Sequence, residues 1–478
     1  MPEQKLFTSV SDLIGKVSTT SDLKIQHHRS RYLQTTSVGA NAYVRMPVAR
    51  LGSNQLLDCR NIRMRFTLAL TSTDAGICVA NNSVFPFQRV RIMSGTKCVL
   101  DIDNAALLMS ILYNVNQDVA ISPYEQSVTG DSFNLATKQA WSDNAKEYII
   151  PLYPDSTFLR GDRLLDVYNS SDLVLEFWTL SNSQYLYSPL NDITAKYSLS
   201  NIEILSQYIQ SDGLAAHFRA NPMAFTCQNY DYRYGTASEQ LTQVQIASSY
   251  SSLNAILMVM RDSTIEDNFN IQTKMTAFNA NALDYYNLLI NQIRFFDENI
   301  DSFEQFYNEL KHLFPEAANS TFLTSLYTTT RFVCGIRIAA CPEAFKNSIT
   351  SGVKTAALSN NIVLQLHFDA APSTLQRTDI FLNSDVLIDF TPNSRDLQIH
   401  FDKTKPPTRK KKFSSKTNKT KTKNGNFTTF RYIQCIGRRC KCSYPSSVSW
   451  YRKSSTGQYC FFHCWSMGCY VHVQWAVR

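Results

Sequence analysis

The sequence predicts an all-β chain that is built twice over, and three observations carry that prediction. The run Ser359-Asn-Asn-Ile-Val-Leu-Gln-Leu-His-Phe368 puts Ile362, Leu364, Leu366 and Phe368 on one side of an extended chain and Gln365 and His367 on the other. This period-two alternation is that of a half-buried strand. The run Ser170-Ser-Asp-Leu-Val-Leu-Glu-Phe-Trp178 repeats the polar entry and the alternation 189 residues earlier, with Leu173, Leu175 and Phe177 inward and Glu176 and Trp178 outward. The neighbours of the two runs recur in the same order: Ile92 and Ile290 lie 198 residues apart, and so do Asn104 and Ser302, each of which opens a helical stretch. An ordered repeat at a spacing close to one domain length reads as two copies of one β-domain.

Residues 1–34 are polar and become basic at Lys24, His27, His28, Arg29 and Arg31. Their only amphipathic piece is Val10, Leu13, Ile14 and Val17, so they are expected to form a solvated arm or a single helix. From Leu33 on, short apolar runs alternate with Gly, Asn, Ser and Asp clusters: Ala42 to Val48, Ile62 to Leu70, Val84 to Ile92, Cys98 to Ile102, Tyr148 to Leu152, Leu173 to Leu180 and Ser198 to Ile209. That is the pattern of a β-sandwich. One helix interrupts it, where Ala105, Leu108, Met109 and Leu112 share a face after Asn104, a candidate cap. In the second half Ser252 to Met260 answers Ile62 to Leu70, and Tyr286 to Ile290 with Ile293 to Phe296 answers Val84 to Ile102. A helix from Ser302 then carries Phe303, Phe306, Leu310 and Phe314 on one face. Arg331 to Ala339, Asn361 to Phe368, Asp379 to Ile388 and Leu397 to Phe401 complete the copy, and the seam falls at Ser211 to Asn221. The polar segments Gln117 to Lys146 and Ser181 to Ala195 exceed hairpin length and suit projecting or gripping loops.

Of 47 Lys and Arg, 17 lie from Lys403 onward with no acidic residue among them, leaving 30 against all 39 Asp and Glu in residues 1–402. The basicity therefore belongs to the tail. Charged residues make up 18% of the chain, below the usual quarter, which suits a surface of neutral Ser, Thr, Asn and Gln or one covered by other subunits. Cys59, Cys78, Cys98, Cys227, Cys334 and Cys341 are scattered as reduced core thiols would be, whereas six more crowd into the last 44 residues. The first residues hold no apolar run of signal-peptide length, and no window approaches the roughly 18 apolar residues of a membrane span. The reading is a protein made in the cytosol, in which the N-x-Ser/Thr triplets are chance matches.

Phosphate-loop, dinucleotide, H-E-x-x-H and G-x-Ser-x-G patterns are all missing from the sequence. His27 and His28 read as solvated, His367 and His400 as strand residues on a polar face, and Asp297, Glu298 and Asp301 as partners of a helix N-terminus. The tail admits two readings. Cys435, Cys440, Cys460 and Cys464 are weak zinc candidates, because C-x4-C-x-C and C-x2-H-C-x4-C lack the usual paired C-x2-C. Otherwise the tail is an unstructured or frame-shifted extension. Arg409, Lys410, Lys411 and Lys412 open a basic run suited to phosphate neutralisation, to nuclear import or simply to solvent.

Two sandwiches in order, a helix inserted in each, Ala356-Ala-Leu-Ser-Asn-Asn-Ile-Val-Leu-Gln-Leu366 and the closing Asp385-Val-Leu-Ile-Asp-Phe390 together resemble the double jelly-roll major capsid proteins of icosahedral DNA viruses, including adenovirus-like, Polinton-like and virophage-like elements. The resemblance spans roughly residues 30–402 and is strongest from Ser252 to Phe401. It implies two consecutive eight-stranded jelly rolls, each with an inserted short helix, at residues 35–212 and 213–402, between an N-terminal arm (1–34) and a basic, Cys-rich tail (403–478) expected to be disordered. It also implies a structural, non-enzymatic protein without cofactors. The expected assembly is a homotrimer forming a pseudo-hexagonal capsomer, which meets neighbouring capsomers and minor capsid or penton proteins in the virion shell. Assembly is expected in the host cytoplasm or nucleus, with genomic DNA as a partner of the basic tail. A cellular, lectin-like β-sandwich binding protein is the alternative, and an enzyme using tail cysteines such as Cys464 is a more distant rival.

Overall fold

The computed structural model describes residues 23–400 except 82, 117–126, 131–133, 143, 221–222, 248–249, 251, 264–266, 272–273, 275–277, 281, 291, 315–326, 328–330, 340–351, 356–360 and 391–397, together with 450–453 and 459–462. The chain divides into two units, Met1–Thr408 and Arg409–Arg478.

Among the described residues the first unit rests on sixteen principal strands. The first eight are β1 (Lys24–Arg31), β2 (Tyr43–Pro47), β3 (Gln55–Thr71), β4 (Phe87–Ser94), β5 (Lys97–Asp103), β6 (Lys146–Pro151), β7 (Leu173–Thr179) and β8 (Lys196–Gln210). The next eight are β9 (Met223–Ala237), β10 (Leu241–Ala247), β11 (Leu253–Asp262), β12 (Leu283–Ile290), β13 (Ile293–Arg294), β14 (Cys334–Arg337), β15 (Asn361–Phe368) and β16 (Gln376–Phe390). In the first copy β1-β8-β3-β6 lie side by side in one sheet and β2-β7-β4-β5 in another. The second copy has β9-β16-β11-β14 and β10-β15-β12-β13. Each strand of the second copy thus takes the place of the strand eight before it. Two four-stranded antiparallel layers closing on one core make a jelly roll, here present twice.

The inward faces match the alternation read from the sequence. On β7 the side chains of Leu173, Leu175 and Phe177 are buried, and on β15 those of Ile362, Leu364, Leu366 and Phe368. On β11 the apolar run is buried on both faces, as an unalternating run requires. Buried apolar side chains of both copies join into one contiguous core.

Helices α1 (Ala105–Asn116) and α3 (Phe303–Leu313) follow β5 and β13. In α3, Ser302 is a true cap: its Oγ accepts from the Gln305 amide at 3.2 Å, while Gln305 Oε1 accepts from the Asp301 amide at 3.0 Å. Its buried face is Phe306, Leu310 and Leu313. Asn104 differs from expectation. At φ +51° it sits in the left-handed region rather than the extended one a cap adopts, so it is a turn residue. Helix α1 is also rotated from the expected face: Leu107, Leu108, Ile111 and Val115 are buried, whereas Met109 and Leu112 are only partly covered. At the seam, α2 (Asp212–Ala220) sets Leu214 against Leu56, Leu164 and Ile209.

Residues 24–31 are not a solvated arm. The strand β1 pairs with β8 along its whole length, from Lys24 opposite Gln210 to Arg31 opposite Glu203. Its half-covered positions are Gln26, His28 and Ser30, so backbone hydrogen bonding holds it without an apolar alternation to announce it. Val10 to Val17 lie outside the described residues. Strands β9 and β10 also went unread, because Gln, Asn, Asp, Arg and Gly interrupt Met223–Ala237 and polar residues separate the few apolar ones in Leu241–Ala247. The long polar segments hold the short helices Leu135–Ser142 and Asn182–Tyr185. In the second unit, Trp450–Lys453 pairs antiparallel with Tyr459–Phe462. The aromatic residues there favour a hairpin within a tail whose composition predicts disorder.

Candidate functional site

The two rolls meet along a built seam. The edge strand β9 of the second roll runs beside β5, the edge strand of the first. At one end Phe225 of β9 stacks on Phe158 at 5.9 Å, and the Arg163 guanidinium stands 4.9 Å over the Phe225 ring. The Gln228 amide donates to the Ser156 carbonyl at 2.9 Å. Cys59 of β3 and Cys227 of β9 are both buried and both feel the Arg163 charge. Burial pushes their thiols up to about 12 and about 11, with Arg163 acting in the opposite sense. These thiols are therefore inert packing groups at neutral pH.

At the other end a lysine of the second roll enters a loop of the first. The Lys274 side chain is 1% exposed; its Nζ donates to the Leu186 carbonyl at 2.7 Å and to the Ser183 carbonyl, and lies 5.4 Å from the Phe269 ring centre. Burial lowers the amine from 10.5 to about 8, and Asp267 acts in the opposite sense. The Ser188 amide donates to the Phe269 carbonyl at 2.8 Å, and Ser183 Oγ donates to Asp267 at 3.2 Å. The receiving loop is itself held rigid. Asp74 accepts from Ser188 Oγ at 2.6 Å and the Leu190 amide at 2.9 Å, and Asp192 accepts from Ser72 Oγ at 2.6 Å and the Thr73 amide at 2.8 Å. The Ser72 and Thr194 hydroxyls and nearby amides hold the Asp192 carboxyl well below the usual carboxylate range. Lys274 gave no sequence signal, since one cation in an aperiodic loop resembles any solvated lysine. Its partners are backbone carbonyls, which no side-chain pattern reveals.

On the outward side of β7, Glu176 pairs with Arg45 at 3.9 Å and Arg91 at 3.6 Å. Asp101 pairs with Arg89 at 2.6 Å and Arg91 at 3.1 Å, and both guanidinium groups stand 5.3 Å from the Trp178 ring. The matching face of the second roll is nearly neutral. Gln243 faces Gln365 across β10 and β15, while His367 stacks on Tyr285 at 4.6 Å with Nδ1 3.0 Å from Asp284.

The residues singled out from sequence are not gathered into one centre. His27 and His28 stand on β1, the ring of His28 meeting Tyr208 edge-on at 6.2 Å, and His400 lies in a short strand opposite Leu387. Asp297, Glu298 and Asp301 are exposed ahead of α3. Of the zinc candidates, Cys460 falls in the strand Tyr459–Phe462, and Cys435, Cys440 and Cys464 lie outside the described residues, as do Arg409, Lys410, Lys411 and Lys412. Among the described residues no group of three His, Cys, Asp or Glu side chains is placed to hold a metal ion, and no helix is long and apolar enough to cross a membrane.

No family model and no curated protein matches the sequence. The structure is similar to that of VP54 of the virus PBCV-1, fitted into a cryo-EM reconstruction of the virophage Sputnik, with a TM-score of 0.57 at 11% identity over 80% of this chain and 97% of that one. It is similar to the PBCV-1 virus capsid model, with a TM-score of 0.58 at 12% identity over 80% and 97%. It is also similar to the Faustovirus major capsid protein, with a TM-score of 0.51 at 8% identity over 77% and 91%. With eight principal strands in each copy among the described residues, the same strand order in both and matches that span nearly the whole of those chains, this chain has the double jelly-roll fold of viral major capsid proteins.

Proposed function

We propose that the chain is the structural major capsid protein of an icosahedral DNA virus or of an integrated virus-like element, acting without catalysis or cofactor. The observation that carries this reading is the strand-for-strand repeat joined by a buried seam. Two like rolls held in one rigid body, taken three times about a threefold axis, offer six near-equivalent wedges, so a trimer fills a hexagonal place in a sheet. The low share of charged residues supports extensive burial among subunits. The capsomer meets its neighbours and the minor capsid or penton proteins in the virion, after assembly in the host cytoplasm or nucleus. The cationic tail from Arg409, Lys410, Lys411 and Lys412 contacts genomic DNA by charge alone, an affinity that falls steeply with added salt.

Light scattering of the purified full-length chain tests the central claim, with electron microscopy of the same sample. A stable trimer, and shells or sheets of trimers, is the expected result. A monomer that binds glycans would replace this reading with that of a β-sandwich binding protein. DNA binding by the full chain that is lost on ending the chain at Asp402 would place the nucleic-acid contact in the tail.

A further inference from the structure

The outward faces of the two larger sheets differ in what the chain does with them. In the second roll that face is covered: every residue of β11 from Leu253 to Arg261 is buried, and so is every residue of β16 from Asp379 to Val386. In the first roll the equivalent strands β3 and β8 leave it open, and arginines stand on it. The register across β1, β8, β3 and β6 puts Arg31, Glu203, Arg65 and Ile149 in one rung and Arg29, Leu205, Arg63 and Pro151 in the next. Neighbouring strands lie about 4.8 Å apart and alternate residues about 7 Å apart along each strand, so four guanidinium groups rise from a patch about 10 Å by 7 Å.

Two of the four are already engaged. Arg31 holds Glu203 at 2.7 Å, and Arg65 holds Glu147 and, at 3.6 Å, Glu203. Among the described residues Arg29 and Arg63 have no ion-pair partner, and both are exposed, one on each side of the half-buried Leu205. Toward one end of the patch stand the exposed His27 and the neutral pair Asn61 and Gln207, hydrogen-bonded at 2.9 Å, while Arg60 is taken by Asp58 at 2.7 Å. Toward the other end Lys196 is exposed opposite Thr71. Glu203 and Glu147 therefore balance two of the arginines, and the free positive charge is that of Arg29 and Arg63, with Lys196 at the margin.

The chemistry of the face selects its occupant. Arginine forks fit planar oxyanions, carboxylate or phosphate, with two hydrogen bonds at a time. A phosphate backbone, charged at every unit, would meet Glu203 and Glu147 as well, and it would leave Leu205, Ile149 and Pro151 uncovered. An apolar centre ringed by arginines is instead the composition of a protein interface. We infer that this face docks an acidic segment of a different protein, which sets an apolar side chain on Leu205 and a carboxylate on each of Arg29 and Arg63. The partner then covers in the first roll the surface that the second roll covers with its own chain.

Fluorescence anisotropy of the full-length chain with a labelled peptide of repeating Glu-Leu-Glu units tests the docking, with a Gln-Leu-Gln peptide as control. R29E/R63E is expected to weaken binding of the acidic peptide about tenfold or more by placing like charges across the contact, while circular dichroism keeps the β signature. The cationic tail is the same in both proteins, so the difference reports the sheet face. As a second measurement, benzoylphenylalanine in place of Leu205 is expected to cross-link the acidic peptide, and not the control, on irradiation. Equal affinity of wild type and variant, with no cross-link at position 205, overturns the assignment. Tighter binding of a DNA duplex that the same reversals abolish also overturns it, and gives the face to nucleic acid. So does a wild-type trimer that falls apart in R29E/R63E by light scattering, because the face would then join copies of this chain.

Discussion

The two rolls agree on their inward faces and differ on their outward ones. Leu175 and Leu364, or Phe177 and Leu366, stand at equivalent positions of β7 and β15 and are all buried. One residue away, Glu176 corresponds to Gln365 and Trp178 to His367. The first pair sits in a lattice of three arginines and Asp101, the second among amides and a histidine stacked on Tyr285. Inward side chains answer to a facing sheet at close-packed density, so a change there is felt at once. Outward side chains answer to whatever covers them. Such a divergence, with the core pattern kept, is what two copies facing different surroundings would show.

A second contrast supplies the largest expected effect. Each roll pairs a carboxylate of its last strand with an arginine of its third: Glu203 of β8 with Arg65 of β3, 3.6 Å apart, and Asp379 of β16 with Arg261 of β11, 2.5 Å apart. In the first roll the arginine side chain is 30% exposed and the glutamate 8%, whereas in the second the two are 1% and 0%. Arg377 and the Tyr232 hydroxyl also converge on Asp379. Removing one partner of a pair inside the protein strands the other charge at low dielectric. Asp379→Asn is accordingly expected to cost about 3–5 kcal/mol, and Glu203→Gln about 1 kcal/mol or less, because water reaches Arg65. Urea titrations followed by fluorescence measure both. Equal losses would mean that burial does not distinguish the two copies.

The seam gives the next effect, and it carries a sign. The Lys274 amine is at about 8 in the folded chain against an ordinary 10.5. Between those values the unfolded chain still binds the proton that the folded one has released. Stability therefore rises with pH across that window and is unaffected by this group below it, with a slope of at most about 1.4 kcal/mol per pH unit. Lys274→Met keeps the length of the side chain and removes the titration. Tyrosines that ionise near the top of the window act in both proteins, so the informative quantity is the difference between wild type and variant. That difference is expected to widen from pH 8 to 10, measured by denaturant midpoints at several pH values. A constant difference would show that the lysine is solvated and that the seam is looser than its geometry.

How far the sequence revealed this molecule depended on which groups hold each part. Strands with an apolar side were legible, β7, β15 and β11 above all, because burial writes a period of two or an unbroken run into the residues. So was the order of the elements, since a duplicated core repeats its pattern. Strand β1 was hidden because its ladder to β8 is made by backbone groups that every residue possesses. The inner side of α1 lies about one position from the one its spacing suggests, because Leu107, Leu108, Met109, Ile111 and Leu112 are all apolar, and a helix apolar nearly all round does not declare its inner side. The seam was the least legible part. Arg163 over Phe225, and Lys274 on two carbonyls, join residues far apart in sequence through partners that leave no motif. The acidic residues before α3 were assigned to the helix N-terminus, yet Ser302 and Gln305 cap that helix. Asp297 and Glu298 remain exposed.

The smallest expected effect tests whether the outward faces are free to differ. Glu176→Gln gives the first roll the residue that the second carries at the equivalent position. It removes the carboxylate partner of Arg45 and Arg91, but Arg45 is 57% exposed and 3.9 Å from Glu176, and Arg91, 26% exposed, keeps Asp101 at 3.1 Å. The Tyr43 hydroxyl, which donates to Glu176 at 2.7 Å, can donate to the amide oxygen instead. A loss below about 1 kcal/mol is therefore expected, together with a fall in the tyrosine's ionisation value. That value now stands at about 12, raised by burial first and then by the hydrogen bond to Glu176 and its charge. Ultraviolet titration of the Tyr43→Phe difference spectrum reads the fall, and denaturant midpoints read the loss. A penalty of several kcal/mol with no movement of the tyrosine would mean that the charged face holds the first roll together. The contrast with the second roll would then reflect two solutions to stability rather than two surroundings.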